Sequence, residues 1–509
     1  MNRSLLYACL VAVPVIALAQ TPCEGLKSLS LPNAMITAAE ALPAGVFQAP
    51  GTPPPPVAML PARCRVVAVL TPSADSHIEM ELWLPAENWN GKFEAIGNGG
   101  WGGKIEEGAN GSVNMISALR EEYAVVSSDT GHKSSTVSDG SFALGHPEKL
   151  LDFGSRAVHE MVLQSKVIVG KYYGRAPEYS YWNGCSGGGR QGLMEAQRYP
   201  EEFDGIAAGA PANFWTHLML GIVAEAQATH KGQPGNLPNG KLSLLHDAVL
   251  RQCDALDGVR DGVLNDPAAC RFDPKTLECK GADGPGCLTQ AQVEGARRMY
   301  SGAINPRTNQ QIYPGMALGS ELGWNPSSEP LLSIAADHFR YVVFKYPAWD
   351  YRKLNFDSDV AFTDKTDDGL LNATDPNLQA FFAHGGKLIQ YHGWSDPAIS
   401  PLNSINYFES VQARLGGASK TDEFYRLFMV PGMGHCGSGD GPNQFNAMGA
   451  LERWRESNIA PSQMLAMHVT NGAVDTVRPL CPYPQVAVYK GSGSTNDAAN
   501  FSCKAAPQN

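Results

Sequence analysis

The segment that most constrains this chain is a Gly-x-Ser-x-Gly pattern centred on Ser186, between Gly184 and Gly188. An aromatic-rich predicted strand, 179–182, precedes it, and good helix formers, 190–198, follow it. A strand, a sharp turn and a helix form the context in which such a serine is a nucleophile. Ser186 would be strained there, and a side chain at either glycine would crowd the turn. The alternative is a glycine-rich loop without chemistry, because the bare pattern also occurs by chance.

Strands and helices alternate along much of the chain. Strands are predicted at 65–70, 77–84, 93–96, 123–128, 203–211, 385–393 and 425–430, and helices at 115–122, 152–173 and 403–415. This alternation predicts an α/β fold with a mostly parallel sheet covered by helices. Two stretches show little regular pattern, namely the proline-rich segment from Cys23 to Cys64, which includes the extended stretch Pro53–Pro56, and the tail around Cys481 and Cys503.

The alternation disappears from about 213 to 376, where the sequence is loop-rich and holds four cysteines. It resumes with the strand at 385–393. We therefore predict one catalytic domain formed by 20–212 and 377–509, interrupted by an inserted lid domain at 213–376.

A nucleophilic serine needs a base, and the base needs an acid that orients it. In hydrolases built on such sheets the chain order is serine, acid, histidine. Asp396 and His435 follow two successive predicted strands, at the edge where open sheets place their sites. We therefore predict a catalytic triad of Ser186, Asp396 and His435. The rivals His392 and Asp129 also lie at strand exits, but the first precedes the acid and the second precedes the nucleophile.

The loop from Gly97 to Gly103 follows the predicted strand at 93–96 and contains five glycines in seven residues. So many glycines favour close approach of the backbone to another group. In a serine hydrolase such a loop supplies one N–H of the oxyanion hole, and the helix after the serine supplies the other. The alternative is a plain turn.

The first nineteen residues have the features of a signal peptide, with Arg3, an apolar run and a cleavage site after Ala19. The apolar run is too short to span a membrane. Cleavage removes Cys9 and leaves ten cysteines, which in an exported chain predicts five disulfides. We therefore expect a secreted or periplasmic protein.

Cys185 precedes the serine and Cys436 follows the histidine. If Ser186 and His435 meet, these cysteines are brought close together, and a disulfide between them would tie the nucleophile to the base. The alternative, with Cys185 as the nucleophile, is disfavoured because an exported chain with paired cysteines leaves no reason for a free thiol.

The segment from Cys253 to Val263 carries three carboxylates within eight residues, separated by glycine turns. Such oxygen-rich loops suit a hard cation. The predicted calcium ligands are the side chains of Asp254, Asp257 and Asp261 and the backbone carbonyls of Val259 and Val263. No glutamate closes the loop, so it is not an EF-hand. The alternative is a solvated acidic turn held by a Cys253–Cys270 bridge.

The net charge of −11, with Lys and Arg scattered, disfavours a nucleic-acid partner, and no membrane partner is expected. The expected partner is a small molecule, and the oligomeric state stays open. Hydrolase folds also serve as non-enzymatic binding modules, but those usually lack a triad member, and here all three are present.

Several segments together resemble the tannase and feruloyl esterase family, from about Cys23 to Cys503. The most specific are Gly184-Cys185-Ser186-Gly187-Gly188 and Pro431-Gly432-Met433-Gly434-His435-Cys436, supported by His392-Gly393-Trp394-Ser395-Asp396 and Arg478-Pro479-Leu480-Cys481-Pro482-Tyr483-Pro484. The resemblance implies an α/β-hydrolase core with a large lid, a structural calcium ion in the Asp-rich loop, and oxyanion N–H groups from Gly100 and Gly187. It also implies the disulfides Cys23–Cys64, Cys185–Cys436, Cys253–Cys270, Cys279–Cys287 and Cys481–Cys503.

The resemblance further implies hydrolysis of aromatic acid esters, with a feruloyl ester expected first and a galloyl ester second. One branch of the family hydrolyses mono(2-hydroxyethyl) terephthalate. That branch has an aromatic residue three positions after the acid, where this chain has Ile399, and an acidic residue after the serine, where this chain has Gly187. Both departures disfavour terephthalate as the substrate.

Overall fold

The computed structural model describes residues 20–48, 57–108, 113–324 and 329–505. The predicted signal peptide, 1–19, and the stretch Pro53–Pro56 lie outside the described residues. Within the described part, no helix combines the length and the apolar character that crossing a membrane requires.

The described residues form seventeen strands and thirteen α-helices. The strands are β1 (Ala34–Leu42), β2 (Gly45–Gln48), β3 (Val57–Leu60), β4 (Arg63–Leu70), β5 (Ile78–Pro85), β6 (Lys92–Ile96), β7 (Ala124–Ser128), β8 (Tyr179–Cys185), β9 (Gly205–Gly209), β10 (Ala303–Ile304), β11 (Gln311–Tyr313), β12 (Lys387–Gly393), β13 (Tyr425–Val430), β14 (Met464–Thr470), β15 (Ala473–Leu480), β16 (Gln485–Tyr489) and β17 (Phe501–Ala505). The helices are α1 (Met115–Arg120), α2 (Pro147–Leu151), α3 (Ala157–Tyr173), α4 (Gly187–Arg198), α5 (Trp215–Thr229), α6 (Asn239–Cys253), α7 (Gln290–Ser301), α8 (Glu329–Asp337), α9 (Asp359–Asp367), α10 (Gln379–Ala383), α11 (Pro401–Leu415), α12 (Ala418–Thr421) and α13 (Ala447–Ser457).

Nine strands form the main sheet, in the order β1-β4-β5-β7-β6-β8-β9-β12-β13. From β7 to β13 all neighbours are parallel, whereas β1, β4, β5 and β7 pair antiparallel. The sheet is therefore mixed but mostly parallel, as predicted, and it has an antiparallel edge. Strands β8, β12 and β13, which precede the predicted triad residues, all lie in the parallel part and end at the same edge.

Both faces of the parallel strands are covered, which explains why β7, β9 and β12 are buried along their whole length. Successive side chains point to opposite faces. Ile206 packs in one apolar cluster with residues of α3, α4 and α11, and its neighbour Ala207 packs in a second cluster with residues of α1 and α13. The alternation of strands and helices in the sequence thus becomes a three-layer arrangement.

The predicted lid segment, 213–376, contributes no strand to the main sheet among the residues described. It contains helices α5 to α9 and the small β10–β11 pair. Its side chains share an apolar cluster with the core, in which Trp215, Phe339 and Val342 pack with Trp101 and Phe153. Because one apolar cluster contains residues of both parts, the division into a catalytic domain and an inserted lid stays a prediction.

Two sequence-based interpretations were wrong. The segment from Cys23 to Cys64 is not irregular, because β1 pairs along nearly its whole length with β4. This strand is rich in alanine and lies at the sheet edge, so it shows little alternation of apolar and polar residues. The tail also contains regular structure, the hairpins β14–β15 and β16–β17, and Cys481–Cys503 links the residue after β15 to β17.

The structure contains the five disulfides that the family resemblance implies: Cys23–Cys64, Cys185–Cys436, Cys253–Cys270, Cys279–Cys287 and Cys481–Cys503. Five disulfides are typical of a protein that folds in an oxidising compartment.

One fully buried cation joins the helix after Ser186 to the lid. Arg190 lies in α4 and is 0% exposed. Its guanidinium donates to the carbonyl oxygens of Gly154 at 3.1 Å, Phe153 at 3.1 Å and Leu371, in the lid segment, at 3.3 Å. Burial lowers the pKa of Arg190 to about 10, so it remains charged at neutral pH.

Substitution Arg190→Met should therefore lower the free energy of unfolding by about 2–4 kcal/mol, because three buried carbonyls lose their donor. The matched control is Arg198→Met in the same helix, since Arg198 is exposed and bonds a carbonyl of the lid segment, that of Gly369. Urea unfolding of both variants measures the difference. Equal losses of unfolding free energy in the two variants would contradict the idea that the buried Arg190 hydrogen bonds stabilise the contact between α4 and the lid segment.

Candidate active site

Ser186 lies at a sharp turn between the last residue of β8 and the first residue of α4. Its φ of 63° and ψ of −120° place it in the left-handed region, which is strained for a residue with a side chain. The turn is crowded: a Cβ at Gly184 would meet the carbonyl oxygen of Gly188 at 2.5 Å, and one at Gly188 would meet the backbone of Gly97 at 3.0 Å. The local geometry is thus that of a nucleophile elbow, as predicted from the pattern.

Asp396 and His435 lie on the loops that follow β12 and β13. The carboxylate of Asp396 is fully buried and accepts a hydrogen bond from His435, with 2.7 Å between Oδ2 and Nδ1. The His435 side chain is 28% exposed, so its other ring nitrogen can reach a substrate. This contact fixes the Nδ1–H tautomer and leaves Nε2 free to act as a base.

The structure brings the serine and the histidine together through a covalent link. Cys185 and Cys436 form a disulfide with 5.9 Å between their Cα atoms, so the residues next to them are held as neighbours. Within the described residues, the Ser186 hydroxyl donates no hydrogen bond to His435. Catalytic contacts of this kind commonly tighten only when substrate is bound.

Charge coupling sets the protonation of the acid and the base. Burial alone would raise the pKa of Asp396, but the charge of His435 and the hydrogen bonds from His392 and His435 hold it well below its usual range. Burial lowers the pKa of His435, and the charge and hydrogen bond of Asp396 more than offset this and raise it. The stability that Asp396 contributes is therefore present above its unfolded-state pKa and lost as the pH falls through the folded value. Protonation of His435 on the acid side would remove the lone pair that the predicted base needs.

The two glycines predicted to form the oxyanion hole lie side by side. Gly187 begins α4, and a Cβ there would meet the Asn98 carbonyl oxygen at 2.8 Å and the Gly100 nitrogen at 3.3 Å. Gly100 has a φ of 51°, and a Cβ there would meet the Val137 carbonyl oxygen at 2.3 Å. In the part of the chain that the structure describes, neither N–H donates to another protein group. Both donors are therefore available to an oxyanion.

A family model described as tannase and feruloyl esterase matches residues 64–504. The chain belongs to this family. It is 38% identical to an uncharacterized esterase of Xanthomonas campestris, over 98% of this chain and 94% of that protein. It is 34% identical to the mono(2-hydroxyethyl) terephthalate hydrolase of Piscinibacter sakaiensis, over 88% of this chain and 86% of that protein.

The crystal structure of feruloyl esterase B from Aspergillus oryzae superposes with a TM-score of 0.86, at 30% identity, and covers 95% of this chain and 99% of that one. The comparison confirms the predicted α/β-hydrolase-type fold. This member of the tannase and feruloyl esterase family is a carboxylic ester hydrolase.

The two positions that differ from the terephthalate branch of the family are both enclosed. Ile399 is 3% exposed and packs in the cluster that contains Trp101 and Trp215. Its side chain is thus part of the packing between core and lid. Gly187 lies so close to the Asn98 carbonyl that any side chain would require the loop to shift.

The predicted calcium loop, from Cys253 to Val263, is distant from the predicted triad in sequence but close to it in space. Four of the five predicted ligand residues, Asp257, Val259, Asp261 and Val263, line one cavity of about 30 Å³, which is more than the roughly 10–15 Å³ that one water needs. Val263 also contacts the loop of His435, since its Cγ1 lies 3.0 Å from the Cβ position of Gly432. The loop therefore supports the turn that carries the base.

The oxygens of this loop fit calcium in part. Burial raises the pKa of Asp257 to about 6, and Asp254 and Asp261 add negative charge beside it. Asp261 pairs with Arg478 at 2.8 Å, and Asp254 accepts the Gly262 N–H at 3.2 Å. Among the described residues, the three carboxylates do not converge within 4.8 Å as they stand, and Asp254 does not line the cavity of the other four ligand residues.

Reasoning from the sequence missed the residues that hold the oxyanion loop. Gln191 in α4 accepts the Asn98 N–H at 2.9 Å and donates to the Asn98 side chain at 3.2 Å. Asn98 in turn donates to the Ser128 carbonyl at 2.8 Å. No local pattern marks this pair, because the residues are 93 positions apart and become neighbours only when β6 and α4 pack.

Neither rival for the triad takes the place of Asp396 or His435. Asp129 accepts the N–H groups of Glu79 and Gly131 and is engaged in holding a turn. His392 lies within β12, is 0% exposed and contacts Asp396, with 3.1 Å between Nε2 and Oδ2. The structure therefore joins His392 to the triad as a neighbour of its acid.

The disulfide between Cys185 and Cys436 should be needed for activity. The bridge spans 251 residues, for which the chain-entropy model gives roughly 5–6 kcal/mol, and a shift of about 1 Å in a catalytic group can cost on the order of 10²-fold in rate. The double variant Cys185→Ala with Cys436→Ala should lose most of its turnover under conditions where it stays folded. Each single variant should be impaired about equally, because neither thiol takes part in the chemistry.

The matched control removes Cys481–Cys503, which links the residue after β15 to β17 in the tail. Its double alanine variant should lose stability but keep its rate at moderate temperature. Kinetics and circular dichroism of the two variants, with peptide mapping of the unreduced protein, measure this. A free Cys185 thiol, or normal turnover in the folded double variant, would remove the case for a tether.

Proposed function

We propose that this chain is an exported serine esterase that hydrolyses esters of aromatic acids, with feruloyl esters first. The observation that carries the proposal is the contact of 2.7 Å between His435 Nδ1 and the buried Asp396. The loop that carries His435 is also bound to the strand before Ser186 by the disulfide Cys185–Cys436. Membership of the tannase and feruloyl esterase family supports the class of substrate. The predicted signal peptide and the five disulfides support export.

The proposed reaction has two steps. Ser186 attacks the ester carbonyl while His435 Nε2 takes its proton, and the N–H groups of Gly100 and Gly187 stabilise the oxyanion. His435 then protonates the leaving alcohol, and water attacks the acyl-enzyme with His435 as base. Asp396 keeps the imidazole in the required tautomer and stabilises it while it is charged.

We assign the leaving alcohol to a cavity beside His435. A cavity of about 250 Å³ is lined by His435, Ser395 and Pro397 from the catalytic loops and by Leu264 and Leu322 from the lid segment. Pockets that hold a whole small molecule measure roughly 300–1,000 Å³. The cavity therefore suits the alcohol part of an ester, beside the group that protonates it.

Initial rates on methyl ferulate, methyl gallate and mono(2-hydroxyethyl) terephthalate test the substrate. The ferulate ester should have the highest kcat/KM, the gallate ester should follow, and the terephthalate ester should be the poorest because of Ile399 and Gly187. A higher kcat/KM on the gallate ester than on the ferulate ester would identify the chain as a tannase. The terephthalate ester ranking first would show that neither departure governs specificity.

The variant Ser186→Ala should lose turnover on every ester by a factor on the order of 10⁶. The control is Ser155→Ala, at a buried serine of the π-helical turn before α3, and this variant should keep its turnover. Activity that survives in Ser186→Ala but disappears in Cys185→Ser would identify the thiol as the nucleophile. No turnover of any ester by the intact chain would favour a binding module.

We also propose that the loop from Asp254 to Val263 binds a structural calcium ion. When bound, the ion would cross-link the carboxylates of Asp254, Asp257 and Asp261 with the carbonyls of Val259 and Val263. Among the residues that the structure describes, Asp257 is buried beside two other acids and forms no ion pair, which supports this. No step of the ester reaction depends on the ion.

Chelation should lower the melting temperature, because an ion that binds only the folded chain stabilises it by about 2.7 kcal/mol at a hundred times its Kd. The rate should fall less, through the contact of Val263 with the loop of His435. Asp257→Asn should abolish the effect of the chelator, whereas Asp273→Asn, at an exposed acid paired with Arg297, should preserve it. Purified protein that holds no calcium by elemental analysis would mark the loop as an acidic turn.

A further inference from the structure

The acid of the proposed triad is shared by two histidines. His392 Nε2 lies 3.1 Å from Asp396 Oδ2, the same oxygen that His435 Nδ1 contacts at 2.7 Å. His392 is fully buried in β12, and its Nδ1 lies 2.7 Å from the Ser404 hydroxyl in α11. A second imidazole on the acid is not required by the chemistry of the triad, so it needs a separate explanation.

The hydrogen-bond partners fix the direction of donation. His392 Nε2 faces the Asp396 carboxylate and, at 3.1 Å, the Ile399 carbonyl oxygen. Both are acceptors without a hydrogen, so Nε2 must carry its proton in either charge state of the ring. The Ser404 hydroxyl can donate to Nδ1 or accept from it. His392 is therefore a permanent donor to the acid.

The carboxylate is saturated by donors. Oδ1 accepts the N–H groups of Ala398 at 2.8 Å and Ile399 at 3.0 Å, while Oδ2 accepts from both imidazoles. Each donor both fixes the position of the carboxylate and withdraws part of its negative charge. Only the remaining negative charge of Asp396 is available to stabilise a protonated His435.

We propose that His392 is a positioning residue, which holds Asp396 Oδ2 toward His435 and limits how basic His435 becomes. The proposal rests on the proposed roles of Asp396 and His435. Among the described residues, the other titratable or charged groups near this cluster are Tyr313 of β11, near Asp396, and His246 and Asp440, which line the same cavity as His435.

A pair of amide variants separates donation to Asp396 from packing. The Nε2 of His392→Gln reaches about as far from the backbone as the imidazole Nε2 and can still donate to Asp396. The shorter amide of His392→Asn can bond Ser404 but cannot reach the acid. Both variants are polar and smaller than or similar to histidine, so they perturb the packing in comparable ways.

The readout is the titration of His435. It is followed by ¹⁵N NMR in the Ser186→Ala background and, with Ser186 in place, by the acid limb of kcat/KM on a chromogenic acetate ester. In His392→Asn, Asp396 keeps more charge for His435, so the pKa of His435 should rise by roughly one unit and the acid limb should move to higher pH. The rate at the plateau should fall roughly tenfold, because the acid is less well held. His392→Gln should stay close to the parent in both.

An unchanged His435 titration in folded His392→Asn, or equal shifts in the two variants, would overturn the proposal and leave His392 as a packing residue. Should His392→Asn fail to fold, the unsubstituted chain still decides, because ¹⁵N NMR must show His392 Nε2 protonated while His435 titrates. A proton on Nδ1 alone would overturn the proposal. The NMR titration needs no turnover, so a chain inactive on esters would refute the proposed function without obscuring this result.

Discussion

The buried carboxylate of Asp396 is the constraint on which the rest of the site depends. It lies in a fully enclosed position and accepts four N–H groups, two from its own loop and two from imidazoles on different segments. A buried charge is tolerated only when it is paired and hydrogen-bonded. The loop after β12, the interior of β12 and the loop after β13 must therefore meet at this one group.

The loop of His435 is held by contacts that leave little room for movement. The carbonyl of Met433 accepts the Ser395 N–H at 3.0 Å, and a Cβ at Gly393 would meet that same carbonyl at 2.2 Å. The glycine is thus required where the two strand-exit loops cross. Cys436 fixes the far end of the turn to β8, and Val263 of the Asp-rich loop lies against Gly432. Because interiors are close-packed, each of these contacts bears on where the base lies.

The parts of this architecture that the sequence predicted are those with a local cause. The elbow follows from glycines on both sides of Ser186, and strands such as β12 and β13 follow from short segments rich in apolar residues that end next to glycines. The edge strand β1 was missed because its alanines show no alternation. The pairing of Gln191 with Asn98 and the role of His392 were missed because both depend on contacts across the sheet. The chain order that pointed to Asp396 also led to His392 being discarded as a rival.

The link between the acid and the lid suggests how one core can serve several substrates. The backbone N–H of Ile399 bonds Asp396, while its side chain packs in the cluster that includes Trp215 and Phe339 of the lid segment. The residue that helps to hold the acid is thus also a wall between the core and the lid. A change in the lid cluster can therefore move Ile399 and reach the acid without any contact to substrate. Substitutions that tune the substrate should be tolerated best where they leave this backbone bond in place, so specificity and acid placement are coupled at one residue.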